Sequence, residues 1–358
     1  MRLLIYGGCH ALILKRLIDE LGPAHLHQVD LLINFQLVAS GEQFPYERLK
    51  DYDVIIYSPI QNKGIYNTTF LDEACAAANV QAIRFPWLEW HGYATGADKA
   101  QFWGHHSWYY PDLIAIGRQF DNLQSYIAHV RDAFPPRDYV TQAMAFTTRR
   151  LVEQELAFEC QVRVSTFIND NFRERRLFLI PDHPTNVLYK NVVDQIEDLL
   201  DTRLIESWPS DLPELQPEER TPILPRIVAE TGLSFSDSTW RSAIQPLGSM
   251  DLNAFLTLHF QAGHCADDRA EGAAGVVLAT ANRQTWASPV EPAVGRPGPA
   301  AVSIFDQVLM RRRPSAAGDT HFIGEVLATL SEYGAPQAAQ RRLGGPYRFR
   351  TDDWSFRS

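Results

Sequence analysis

The sequence predicts an α/β protein: a small parallel sheet with crossover helices, Rossmann-like in its N-terminal part, followed by a largely helical remainder. Three observations carry this. Short apolar runs alternate with helically spaced segments from Leu3 to Phe85, the pattern of successive βαβ units. The run Val54-Ile55-Ile56-Tyr57 has no polar position, as a parallel strand covered on both faces requires. Beyond residue 120 apolar residues recur mainly at helical intervals.

Each element follows from its local chemistry. Leu3 to Tyr6 is an apolar run ended by Gly7-Gly8, and Leu12, Leu14, Leu17, Ile18 and Leu21 then mark a helix that Gly22-Pro23 stops. Val29–Phe35 and Asp53–Tyr57 read as strands, Thr69–Ala78 as an Ala-rich helix, and Val80–Phe85 as a strand closed by Pro86. Trp87 to Pro111 mixes aromatics, glycines and histidines without a period, which describes a long loop over a site. Helices are expected at Leu123–Ala133, Val140–Glu159 and Val187–Leu200, with Pro184 serving the first turn of the last. Prolines at 209, 213, 217, 222 and 225 describe an exposed connection, after which 227–260 regains helical spacing. Two parts are expected: a main domain over 1–265, and an Ala/Gly/Pro-rich arm with a C-terminal helical accessory segment over 266–358, its helix at Phe322–Tyr333.

The formal charge of -10 and pI near 5.6 argue against nucleic acid or anionic lipid as a general partner, since both need a basic face. No run approaches the apolar length of a membrane span, and the first residues lack the apolar core of a signal peptide. Cysteines at 9, 75, 160 and 265 are dispersed without a CxxC pair, which suits reduced thiols in a cytoplasm.

Two places suggest chemistry. Gly7-Gly8-Cys9-His10 stands at a strand-to-helix turn, where helix N-terminal amides favour a thiolate and can hold an oxyanion; a plain tight turn with a small buried thiol explains the same residues. His10, next to Cys9, diverges from it by a helical step, so a distant histidine suits Cys9 better. Asp182-His183-Pro184-Thr185-Asn186 offers one, held extended by the proline. Asp182 or Asn186 could orient that ring, and a capping role for Asp182 or Thr185 with a surface His183 is the alternative.

Further candidates are less specific. Trp87, Trp90, Tyr93, Phe102, Trp103, Trp108, Tyr109 and Tyr110 would line a sugar pocket or form a local aromatic core. His91, His105 and His106 fall at no metal-binding spacing, so no metal is expected. Arg173, Arg175 and Arg176 suit phosphate groups, or make a solvated charged turn. Neither a GxxxxGK[ST] loop, a GxGxxG fingerprint nor a GxSxG elbow is present.

The Gly-x-Cys turn, the Val54 to Pro59 strand, Tyr110-Pro111-Asp112-Leu113, and the string from Phe167 through Asn171-Phe172-Arg173 and Arg175-Arg176-Leu177-Phe178 to His183-Pro184-Thr185-Asn186 together resemble the WcbI family of capsular polysaccharide biosynthesis enzymes, over roughly residues 1–235. The resemblance implies coenzyme A or acetyl-CoA as co-substrate and O-acyl transfer to a sugar hydroxyl. It implies catalytic roles for Cys9 and His183, with His10 beside them. Gly7, Gly8, Arg173, Arg175, Arg176 and Asn186 are then expected at the CoA, and Trp90, His91, His106 and Tyr110 at the carbohydrate acceptor. Where the family commonly has Asn and Gln around the cysteine, this chain has Gly8 and His10, so an oxyanion would rely on backbone amides or on His10. A hydrolase of the same architecture and a non-catalytic glycan-binding protein are the competing readings, and a homo-oligomer is left open.

Overall fold

Four parallel strands, in the spatial order β2-β1-β3-β4, form the centre of the protein: β1 (Arg2–Gly7), β2 (Gln28–Ile33), β3 (Val54–Tyr57) and β4 (Gln81–Arg84). The computed structural model describes residues 1–23, 28–61, 64–102, 105–242 and 248–265. The arm and accessory segment expected over 266–358 lie outside the described residues. Between the strands run α1 (Cys9–Leu21), α2 (Asn34–Ser40) and α3 (Thr69–Ala78).

The alternation of side chains along a strand gives the sheet two apolar faces. Leu3, Ile5, Val54, Ile56 and Ile83 pack with Ala11, Leu14, Leu17 and Ile18 of α1. On the other face Leu4, Tyr6, Ile55 and Tyr57 meet Leu37 of α2 and Leu71 and Cys75 of α3. Because the chain leaves β1 for β2 on one side and returns to β3 on the other, the β1/β3 boundary is a topological switch point, the place where open α/β sheets hold their ligands.

The larger core extends the α1 face. It is built from a hairpin of β5 (Asp98–Phe102) and β6 (His105–Tyr109), then α4 (Pro111–Gly117), α5 (Leu123–Ala133), α6 (Arg137–Ala157) and α7 (Ser165–Asn171). A second hairpin, β7 (Phe178–Ile180) and β8 (His183–Pro184), leads into α8 (Asn186–Leu200); α9 (Pro225–Thr231), β9 (Trp240–Arg241), β10 (Ser249–Met250) and α10 (Leu252–Cys265) complete the described chain. The α/β class and the largely helical remainder are as the sequence predicts.

Three local expectations change. The strand expected through Phe35 stops at Ile33, and Asn34 opens a short helix whose Phe35 is exposed. Pro184 pairs in β8 ahead of the Thr185 cap instead of serving the first turn of α8. Trp87 to Pro111 is a loop only in its first part, 87–97: the β5–β6 hairpin follows, and Trp90, Tyr93, Trp108, Tyr109 and Tyr110 are core residues. The polar ends of Trp90, Tyr93, Trp108 and Tyr110 find partners there, as burial demands. Trp90 Nε1 donates to Thr148 Oγ1 at 3.3 Å, and the Tyr93 hydroxyl lies 2.7 Å from the carbonyl oxygen of Phe172.

Ile56 sits in the middle of the central strands and is almost fully buried. Ile56→Ala is expected to lower unfolding free energy by about 2–5 kcal/mol, measured by urea denaturation.

Candidate active site

The end of β1 brings Gly7 and Gly8 to the switch point. A side chain on Gly7 would press to 3.1 Å from the Ala11 Cβ, so glycine there lets the strand end close against the first turn of α1. Gly8 caps α1 without a side-chain hydrogen bond, which leaves first-turn amides available to a ligand. Cys9 is the first helical residue. A Cβ on Gly8 would lie 3.5 Å from the Trp87 ring and 3.6 Å from Asn34 Oδ1, so Trp87 and Asn34 wall this corner.

The second half of the site is the turn of the β7–β8 hairpin. Pro181 accepts the Trp90 backbone N–H at 2.8 Å. The Asp182 carboxylate accepts from Lys99 Nζ at 2.7 Å and from Trp108 Nε1 at 3.2 Å. Lys99 and Trp108 are cross-strand partners in the β5–β6 hairpin, and the Lys99 ammonium also lies 5.2 Å from the Trp108 ring centre. The backbone carbonyl of Asp182 meets His10 Nε2 at 2.9 Å. That bond joins the residue after Cys9 to the residue before His183.

The electrostatics favour neutral groups. Burial first, and the Asp182 charge second, push the Cys9 thiol up to about 12, against the helix-start amide of His10 and the Lys99 charge. Burial brings His10 down to about 4, partly offset by its bond to the Asp182 carbonyl. Burial also lowers His183 below the ordinary imidazole value; Asp182 and Glu218 oppose this and Lys99 adds to it. His183 is therefore an uncharged imidazole at neutral pH, and its Nδ1 is buried with no hydrogen-bond partner among the described residues. A neutral imidazole beside the amides of a helix N-terminus can accept a proton while those amides hold a developing negative charge.

Of the other expected residues, some belong elsewhere. Trp90 and Tyr110, expected at the acceptor, are 1% and 0% exposed and serve the core. His91 is partly exposed, hydrogen-bonded to Glu89 at 3.0 Å, and Glu89 also pairs with Arg150 at 3.2 Å. Although burial pushes the Glu89 carboxyl up, the His91 bond and the Arg150 charge outweigh it and hold the group ionised. His106 lies in β6 opposite Gln101, and its side chain falls outside what is described.

Asn186 spends its amide on the carbonyls of Leu212 and Pro213 and on the Leu215 N–H, pinning the chain beside α8 instead of facing a cofactor. Arg176 is likewise consumed, by the carbonyls of Phe178, Leu179 and Thr221 and by the carboxylate of Asp237. Arg173 donates to the Thr231 carbonyl at 3.1 Å and covers the Phe172 ring. Arg175 alone of the three is exposed with no side-chain partner among the described residues. No cluster of three metal-ligating side chains occurs among the described residues.

Sequence reasoning missed Lys99 and Glu89, and named Trp87 only as one of the aromatics of a pocket or a local core. Trp87 stands three residues past the C-terminal end of β4, where such sheets bind ligands. Lys99 left no signal, because nothing local ties a strand lysine to a carboxylate 83 residues away.

The fold is that of an α/β protein with its first helix, which opens on Cys9, tied to the hairpin that carries His183 by the His10–Asp182 bond. The chain belongs to the WcbI family: the model of that family, described as polysaccharide biosynthesis enzyme WcbI, matches residues 2–204. A solved structure described as WcbI, a novel polysaccharide biosynthesis enzyme, in its native form without a disulfide bond between CoA and a cysteine, is similar to this chain at a TM-score of 0.57 and 16% identity. The match covers 74% of this chain and 90% of that one, and at this identity it shows the shared fold. No curated protein matches the chain. No helix among the described residues is long and apolar enough to cross a membrane.

Two outcomes follow from the geometry. Arg176→Ala removes the donor to three carbonyls and leaves the half-buried Asp237 carboxylate to Arg220 and the Thr239 N–H, and is expected to cost about 1–3 kcal/mol, whereas Arg175→Ala changes stability by less than about 0.5 kcal/mol; denaturant titration of both separates them. With its thiol raised to about 12, Cys9 should react slowly with iodoacetamide at neutral pH, the rate rising about tenfold per pH unit up to pH 10. Peptide mass spectrometry follows this site by site.

Proposed function

We propose that this chain is a CoA-dependent O-acyltransferase that moves an acyl group, acetyl in the simplest case, onto a sugar hydroxyl of a polysaccharide or glycoconjugate precursor. The observation that carries the reading is the placement of Cys9 and the uncharged His183 on either side of one buried hydrogen bond, at the N-terminus of α1. Membership of a polysaccharide biosynthesis family and the CoA associated with the structurally similar WcbI support it.

The residues present suit the thioester end of CoA. When bound, acyl-CoA supplies an acyl group already activated as a thioester. The amides that open α1 meet the developing oxyanion. His183 takes the proton of the acceptor hydroxyl as its oxygen attacks the carbonyl, and returns that proton to the sulfur as the carbon–sulfur bond breaks. Cys9, held as a neutral thiol, lines the sulfur position instead of attacking. Lys99 keeps the Asp182 carboxylate compensated, so His183 is not drawn into its charged form. Trp87, Glu89 and His91 offer partly exposed groups for the acceptor, and Arg175 the free guanidinium for a phosphate.

Calorimetry with CoA and steady-state turnover of acetyl-CoA test this together. Wild type is expected to bind CoA; His183→Ala should lose about 10²–10⁴-fold in kcat while CoA affinity holds, and Cys9→Ser should lose less. Wild-type rates in both variants would sink the proposal, and ester hydrolysis without any heat of CoA binding would reassign the site to a hydrolase.

A further inference from the structure

His10 is the one polar side chain of α1 that reaches the hairpin carrying His183, and its chemistry there is tightly determined. The Asp182 carbonyl oxygen can only accept, so the 2.9 Å contact requires the proton on His10 Nε2. Nδ1 is then a bare lone pair, buried and without a hydrogen-bond partner among the described residues. A ring in that state has no donor left for an oxyanion, which corrects the expectation that His10 would supply one.

The ring is also held in place. It is 1% exposed, lies against Trp87 with ring centres 4.2 Å apart, and meets Tyr189 of α8 at 6.5 Å. The hairpin turn is fixed on its other sides by Trp90 at Pro181 and by Lys99 and Trp108 at Asp182. None of these reaches α1. Among the described residues, the His10 bond is the one hydrogen bond between the helix that carries Cys9 and the turn that carries His183, across 172 residues of sequence.

We infer that His10 is a positioning residue, whose Nε2–H donor sets the separation between the N-terminus of α1 and His183 and takes no proton in the reaction. The inference rests on the proposed acyl transfer for its kinetic consequence, while the hydrogen bond itself can be tested without it. Burial, which holds the ring well below the usual imidazole range, keeps it neutral through the working pH range.

Glutamine supplies the discriminating variant, because its amide nitrogen stands the same number of bonds from Cα as His Nε2 and is also a donor. His10→Leu should lower kcat for CoA release from acetyl-CoA by about 10–100-fold, the scale of a small misplacement of reacting groups, with KM and CoA affinity within about threefold. His10→Gln should recover most of that loss. In the wild-type protein, nitrogen-15 NMR of the histidines should show His10 as the neutral Nε2–H tautomer from pH 5 to 8. Unchanged kcat in His10→Leu, no recovery in His10→Gln, or an Nδ1–H or charged ring would each overturn the inference. Should His10→Leu not fold, the comparison of His10→Gln with wild type and the NMR result decide it. Wild type that neither binds CoA nor turns over the thioester would instead defeat the proposed function, leaving the tautomer result to stand or fall alone.

Discussion

The hydrogen bond from His10 to the Asp182 carbonyl is the constraint on which the site depends. Its net contribution to stability is ordinary, about 0.5–1.5 kcal/mol. Its consequence is larger, since it closes the longest path in the site. The sheet fixes where α1 begins, and the aromatic core around Trp90, Trp108 and Phe178 fixes where the β7–β8 hairpin lies. Both belong to one apolar core, and this bond adds a directional tie between the start of α1 and the hairpin turn. Breaking it would leave a donor and an acceptor buried without partners, costing about 1–3 kcal/mol.

Around that tie the protein keeps its reactive groups uncharged by burying them. Asp182 is only 5% exposed, and Lys99 together with the Trp108 N–H answers its carboxylate. The pair is salt-bridged at the edge of the site, with Lys99 38% exposed, so the compensation is partly screened by solvent. What remains is a thiol that resists ionisation and an imidazole ready to accept a proton. Such an arrangement suits transfer from an already activated donor, in which the protein moves one proton and shelters one negative charge, better than it suits a cysteine nucleophile.

Much of the sheet was legible in the sequence. The runs at Leu3–Tyr6 and Val54–Tyr57 and the helical spacing of α1 and α5 appear in the structure, because continuous apolar strands and amphipathic helices leave a periodic trace. The Trp87–Pro111 stretch left none. Its tryptophans and tyrosines look polar and irregular in sequence, yet their N–H and O–H groups find partners only after distant segments fold around them. Cys9 and His183 were legible as residues at helix starts. That their neighbours His10 and Asp182 are joined was not, since the tie runs through a backbone carbonyl that any residue would provide. Arg176 and Asn186 were misread for a related reason: a basic cluster or an amide carries no mark of whether backbone carbonyls will surround it, and here they do.

The most direct measurement is a crystal structure of the protein soaked with CoA. The account predicts density for the thiol end over the N-terminus of α1, within reach of Cys9, with the His183 ring facing the same sulfur and the His10–Asp182 bond intact. CoA seated away from the β1/β3 switch point, or a His183 ring turned away from the bound ligand, would contradict it.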